Sequence, residues 1–177
     1  NRPESAIKSW LVLGPIPFEM GLRGFPALDL KPLGEEGELQ PRAEQRRRIG
    51  ERELVWRAAR LDDYRIDFAK ILGEGTAWSA VYACSYIQSD REQTGVRMLL
   101  ASSAHSKVYL NGREVYRKGH PHFHEDSEMV EGLTLRRGLN VLLLKVVSND
   151  DVGWLGAIRF TDAAGQPLSG IKSGAAP

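Results

Sequence analysis

From residue 76 to residue 161 short runs of aliphatic, β-branched and aromatic residues alternate with turn signals. No run between them has the length and 3.6-residue periodicity of an amphipathic helix. Ala77 to Ile87, Gly95 to Ala101, Ser106 to Leu110, Glu114 to Arg117, Met129 to Leu135, Asn140 to Val147 and Trp154 to Thr161 read as strands. Asn111-Gly112 predicts a tight type I′ hairpin, whose two central residues both need positive φ. Asp90 to Gln93 reads as a polar turn and Arg136-Arg137-Gly138 as a second hairpin connection. A parallel sheet would need crossover helices, so the pattern predicts an all-β, antiparallel chain. Within it Val108 and Leu110 share one face and Tyr109 the other. Leu142 and Leu144 alternate against Val141, Leu143 and Lys145, placing one side in a core and leaving the other partly covered.

The first 41 residues hold six of the nine prolines. Proline removes a ladder donor, so this part reads as an edge strand, Trp10 to Leu13, followed by long loops. Arg42 to Arg60 carries both signs of charge; its first half is expected to be a loop or short helical turn, with a strand beginning near Leu54. Asp62-Asp63 predicts a turn ahead of a strand from Tyr64 to Ala69. A length of 177 residues suits one sandwich domain over 1–161, with the small, polar, glycine-rich stretch 162–177 as a peripheral segment or linker.

A net charge of +1 gives no electrostatic case for nucleic acid or an anionic membrane. No apolar run approaches the roughly 20 residues that span a bilayer. Cys84 is the one cysteine and has no partner for an internal disulfide, which is compatible with a reducing compartment or with export. It falls in the hydrophobic run Val81 to Ile87, where burial rather than catalysis is expected. The chain begins with Asn1 rather than Met, as a processed protein or an excised piece of a longer one would.

Three stretches, SKVYLNGREVY (106–116), LRRGLNVLLLKVV (135–147) and GWLGAIRF (153–160), together with WLVLGPIPF (10–18), carry a resemblance. They resemble the galactose-binding-like or jelly-roll sandwich modules attached to bacterial carbohydrate-active and other extracytoplasmic enzymes, including the amino-terminal sandwich of family 2 glycoside hydrolases. The resemblance implies a β-sandwich accessory module and a periplasmic, cell-surface or secreted location. Related modules often carry paired aspartates just before the Asn-Gly hairpin, where they contribute to calcium or ligand binding. Here that stretch is Ala101 to Lys107, without a carboxylate, and calcium takes six to eight oxygen ligands with anionic help. The departure argues against a calcium site there, and no cofactor is expected.

Three groups of residues are candidates for chemistry. Trp56 and Trp78 border less regular segments and offer flat faces for a sugar ring, with Arg57, Asp62, Asp63 and Arg65 near in sequence as hydrogen-bonding partners. Trp10 and Trp154 lie in strand-like stretches and read as structural. His120, His122 and His124, if extended, fall on one side at a spacing suited to zinc, with Glu125 and Asp126 to orient them; histidines decorating a surface loop are the plainer alternative. Arg46, Arg47 and Arg48 are flanked by Glu44, Glu51 and Glu53, as on a solvated or inter-domain face. There is no phosphate-binding loop, dinucleotide fingerprint, zincin helix or nucleophile elbow. The expected function is noncovalent: a carbohydrate-binding or accessory module of a larger bacterial protein, partnered by a polysaccharide, an oligosaccharide or neighbouring domains. The alternative is a structural or protein-interaction sandwich without a glycan site.

Overall fold

The computed structural model describes residues 6–18, 25–73, 78–103, 105–119, 126, 128–148 and 154–177. Their strands, in chain order, are β1 (Ser9–Pro17), β2 (Arg46–Ile49), β3 (Arg52–Val55), β4 (Arg57–Arg60), β5 (Ile66–Asp67), β6 (Ser79–Ser89) and β7 (Gln93–Ser102). β8 (His105–Leu110), β9 (Arg113–Gly119), β10 (Glu128–Leu135), β11 (Gly138–Val147), β12 (Leu155–Thr161) and β13 (Ile171–Gly174) complete them. Two five-residue helices, α1 (Phe25–Asp29) and α2 (Phe68–Leu72), and a 3-10 turn at Glu36–Glu38 lie between strands. Every strand pair is antiparallel.

The larger sheet runs β4-β1-β6-β11-β8-β9, with β13 also paired to β6; the second runs β10-β7-β12-β5. Alternation along each strand builds the space between them. Trp10, Val12, Val81, Ala83, Val108, Leu142 and Leu144 of the larger sheet meet Val96, Met98, Leu100, Ile158 and Phe160 of the smaller in one buried cluster. Trp10 and Trp154 are buried there, as their sequence context implies, and each indole N–H donates to a backbone carbonyl. This is an all-β antiparallel sandwich.

The other face of the larger sheet is covered as well. Leu11, Leu13, Tyr82, Cys84, Tyr86, Val141 and Leu143 point away from the sandwich core, and Leu33 and Trp56 close over them. Partial cover of the face bearing Val141, Leu143 and Lys145 is thus complete burial. The covering layer is the proline-rich segment after β1 together with the β2–β3 ribbon.

Several local expectations change. β1, expected as an edge strand, lies between β4 and β6, and Arg136-Arg137-Gly138 joins β10 of one sheet to β11 of the other instead of closing a hairpin. Arg46–Ile49 is a strand rather than a loop or helical turn: it pairs with β3 across Gly50 (φ 62°), and Ile49 and Leu54 pack on the outer cluster. The run of arginines masked that alternation. The expected strand from Tyr64 to Ala69 shortens to Ile66–Asp67 and turns into α2. The Asp67 carboxylate accepts from the Lys70 N–H, and Gly73 (φ 73°) stops the helix with its N–H on the Ala69 carbonyl. In the 162–177 stretch, β13 pairs with Tyr86–Ser89 along the edge of β6 that β1 occupies farther on.

The Asn111-Gly112 hairpin forms as expected, with φ of 51° and 83°. Its geometry is held from outside: Asn111 Nδ2 donates to Asn140 Oδ1 (2.8 Å), and Asn111 Oδ1 accepts from the Val141 N–H (2.8 Å). Gly37 lies directly on the hairpin; a Cβ there would sit 2.6 Å from the Gly112 carbonyl oxygen.

Candidate functional site

Two regions gather charged side chains, one buried and one open. The first lies under the covering layer. Strand register sets Lys145 of β11 directly between Tyr82 of β6 and Lys107 of β8, all on the outer face. Two lysines opposite one another repel, and both are buried, so the register requires an anion. Glu36 of the 3-10 turn supplies it: Oε1 lies 2.5 Å from Lys107 Nζ and Oε2 2.9 Å from Lys145 Nζ. Tyr82 and Tyr109 also donate their hydroxyls to this carboxylate. Further ammonium protons go to carbonyls at the end of α1: Lys107 donates to Leu28 (3.0 Å), and Lys145 to Leu28 (2.9 Å) and to Leu30.

The titration of these groups follows from two cations sharing one anion. Burial alone would push the Glu36 carboxyl up, but the Lys145 charge and the hydrogen bonds from Lys107, Lys145 and Tyr82 outweigh it and hold the carboxyl below its ordinary range. Burial pulls the Lys145 amine down to about 8; Glu36 opposes that, while Lys107 adds to it. Tyr82 is pushed up by burial and then by Glu36, and Tyr109, for the same two reasons, to about 12. No motif in the sequence marks this cluster. Its signal is Lys145 within the apolar run Leu142 to Val147 and Lys107 on the same face of a neighbouring strand.

The second region is open. Between the end of β4 and α2 lies a groove of about 540 Å³ whose walls include Arg60, Asp62, Asp63, Arg65, Asp67 and Lys70, with Leu61, Ile71 and Leu155 as its apolar part. Arg65 lies 3.5 Å from Asp63 and stacks over the Tyr64 ring, 5.5 Å from its centroid. Arg60 donates to Ser9 Oγ (2.7 Å), which ties the groove wall to β1. Among the described residues that line it, cationic and anionic side chains are present in equal number, and these give no net preference for a charged ligand.

Of the residues singled out in the sequence, Asp62, Asp63 and Arg65 come together in this groove. Arg57 does not line it; it is exposed at the other end of β4, opposite Val12. Trp56 is a correction: at 1% exposure, packed in the outer cluster, it presents no face to a sugar ring. Its neighbours in sequence are charged, but β3 and β4 turn its ring onto Leu11 and Leu13. Trp78 is half-buried at the start of β6, with φ of 55°, and its carbonyl accepts from the Phe18 N–H (2.9 Å); it lies outside the groove. Tyr64, between Asp63 and Arg65, carries the Arg65 guanidinium over its ring but does not itself line the groove. His120, His122 and His124 lie outside the described residues. Asp126 is described, and its carboxylate is engaged by Arg159 in a two-point pair at 3.0 Å for both contacts.

In the stretch from Ala101 to Lys107, Ser102 and Ser106 hydroxyls hydrogen-bond one another (3.0 Å), and Ser103 Oγ accepts from the Leu155 N–H (2.9 Å). Among the described residues no group of three or more His, Cys, Asp or Glu is placed to hold a metal. No helix among them is long and apolar enough to cross a membrane. Cys84 is buried, and burial pushes its thiol up to about 12.

No family model matches the chain, and no curated protein matches it. Two solved structures show a weak, low-identity likeness. A family 35 carbohydrate binding module from an environmental isolate is 16% identical over 56% of this chain and 72% of its own, with a TM-score of 0.36. A beta-glucosidase from Kluyveromyces marxianus, in complex with glucose, is 11% identical over 91% of this chain but 18% of its own, with a TM-score of 0.48. Fold assignment therefore rests on the strand order and register of this chain.

Proposed function

We propose that the chain is a non-catalytic carbohydrate-binding or accessory module of a larger extracytoplasmic bacterial protein, acting as one sandwich unit over 1–161 with 162–177 along its edge. The observation that carries this reading is the groove of about 540 Å³ in which Asp62, Asp63 and Arg65 converge. A sugar hydroxyl is both donor and acceptor, and a guanidinium beside a carboxylate offers it a fixed donor and a fixed acceptor. Balanced charge favours a neutral glycan over a sulfated or uronic one. Leu61, Ile71 and Leu155 give the apolar face of a pyranose a surface to rest on.

The test is a glycan array of neutral and acidic polysaccharides, followed by calorimetry on any hit. Saturable binding of a neutral glycan that weakens by about tenfold or more in Arg65→Ala and Asp63→Ala, with the fold intact, is the expected result, because hydrogen bonds to charged groups are worth roughly 1.5–3 kcal/mol. Absence of binding across the panel rejects the glycan site. Burial of Trp56 favours the second reading, a structural or protein-interaction sandwich, and that null result would move the weight to it.

A further inference from the structure

Away from the groove, the covering layer does not fit flush on the larger sheet. Two adjoining hollows of about 310 and 290 Å³ share Ile16, Pro17 and Ile49 as walls. Phe18, Leu30 and Pro32 continue the apolar lining of the larger one. Among the described residues that line them, the charged ones are Lys31 and Lys145 in the larger hollow and Arg52 in the smaller, and none is a carboxylate.

The floor explains why the sign matters. Lys145 is 1% exposed, and the cluster it belongs to holds two ammonium groups against the single carboxylate of Glu36. Asp29 attracts Lys145 from the surface, but Arg117 already engages it there. Lys31, at the rim, reaches Glu35 at 3.4 Å with both side chains largely in water. Among the described residues one positive charge of the buried cluster therefore has no anion of its own in the interior, a costly arrangement unless something else answers it. Apolar walls, a volume within the roughly 300–1,000 Å³ of small-molecule sites and a few polar groups at one end are the general build of a ligand pocket.

We propose that this cavity binds a small amphiphilic carboxylate, its medium-length acyl chain along Ile16, Pro17 and Ile49 and its carboxylate taking a hydrogen bond from Lys31 and attracted by the charge of Lys145, whose own three ammonium protons stay on Glu36, Leu28 and Leu30. A neutral apolar molecule fills the space without answering the charge. A small hydrophilic anion answers the charge without covering the walls.

Octanoate, octanol and acetate separate these cases, titrated calorimetrically into the full chain below the octanoate micelle concentration. Octanoate is expected to saturate one site, to bind about tenfold or more tighter than octanol, and to raise the thermal midpoint; acetate is expected not to bind. Lys145, followed by side-chain nitrogen NMR, is expected to titrate at higher pH with octanoate bound. Ile49→Glu sets a carboxylate on the rim of the exposed β2–β3 ribbon and is expected to weaken octanoate at least about tenfold while leaving octanol much less affected. Should that variant fail to fold, Leu30→Trp narrows the mouth from a position that is already 38% exposed, and is expected to weaken both ligands. Equal affinity for octanol and octanoate, no saturable octanoate binding, or an unmoved Lys145 titration each overturns the proposal.

Discussion

Glu36 with its two lysines and the Asp63–Arg65 groove are built from the same side-chain chemistry in opposite surroundings. Lys107, Lys145 and Glu36 have side chains at most 3% exposed, whereas Arg65 and Asp63 are 47% and 54% exposed. In the interior each charge is fixed by several partners, and losing one leaves the others stranded without water. At the surface water replaces whatever is lost, so the pair contributes little to folding and stays available to a ligand. Buried charge here specifies where the covering layer sits; exposed charge is free to recognise.

Glu36→Gln tests the contrast most severely. It leaves two buried ammonium groups facing one another and is expected to cost about 3–5 kcal/mol in urea denaturation. Lys145→Met, which leaves a one-to-one pair, is expected to cost clearly less; the reverse order would show that the carboxylate is not what holds the layer. Gly37→Ala comes next. Its methyl would sit 2.6 Å from the Gly112 carbonyl, backbone against backbone, so the 3-10 turn carrying Glu36 must lift. A loss of about 1–3 kcal/mol is expected, read as a lowered thermal midpoint.

The pH dependence of stability sharpens the comparison further. The Lys145 amine titrates near 8 in the fold against an ordinary 10.5, so between those values the folded chain holds fewer protons than the unfolded one. Stability from this group therefore rises with pH across that window, and Lys145→Met is expected to remove the rise. Above 10 the raised Tyr82 and Tyr109 act in the opposite sense, because the unfolded tyrosines lose their protons first. On the acid side the lowered Glu36 carboxyl contributes stability that is lost as pH falls below its ordinary 4.5 and through its folded value. Urea midpoints between about pH 3 and 12 would follow all three groups. The smallest effect belongs to the groove: Arg65→Ala is expected to change stability by less than about 0.5 kcal/mol, with any glycan affinity as the quantity that moves.

Much of the sandwich was legible in the chain itself, because local chemistry suffices for it. Two-residue alternation assigned Val108 and Leu110 to one face and Tyr109 to the other, and Asn111-Gly112 turned where both residues could take positive φ. The groove was legible in part. Asp62, Asp63 and Arg65 are close neighbours in sequence, so a short turn brings them together, whereas Trp56 and Arg57 are carried off by β3 and β4. The end of the strand expected from Tyr64 to Ala69 was misread where capping competed with alternation, at Asp67.

The sequence by itself determined an antiparallel all-β chain, its Asn111-Gly112 hairpin and which side of each strand is apolar, since each depends on residues a few positions apart. Only the tertiary structure decided that the second face of the larger sheet is buried, that Lys145 lies beside Lys107, and that Glu36, 109 residues before Lys145, joins them. Those facts depend on strand order and on where a loop folds back. Neither leaves a periodic trace in the chain, because contacts between distant segments are set by the packing of whole sheets rather than by the spacing of neighbours.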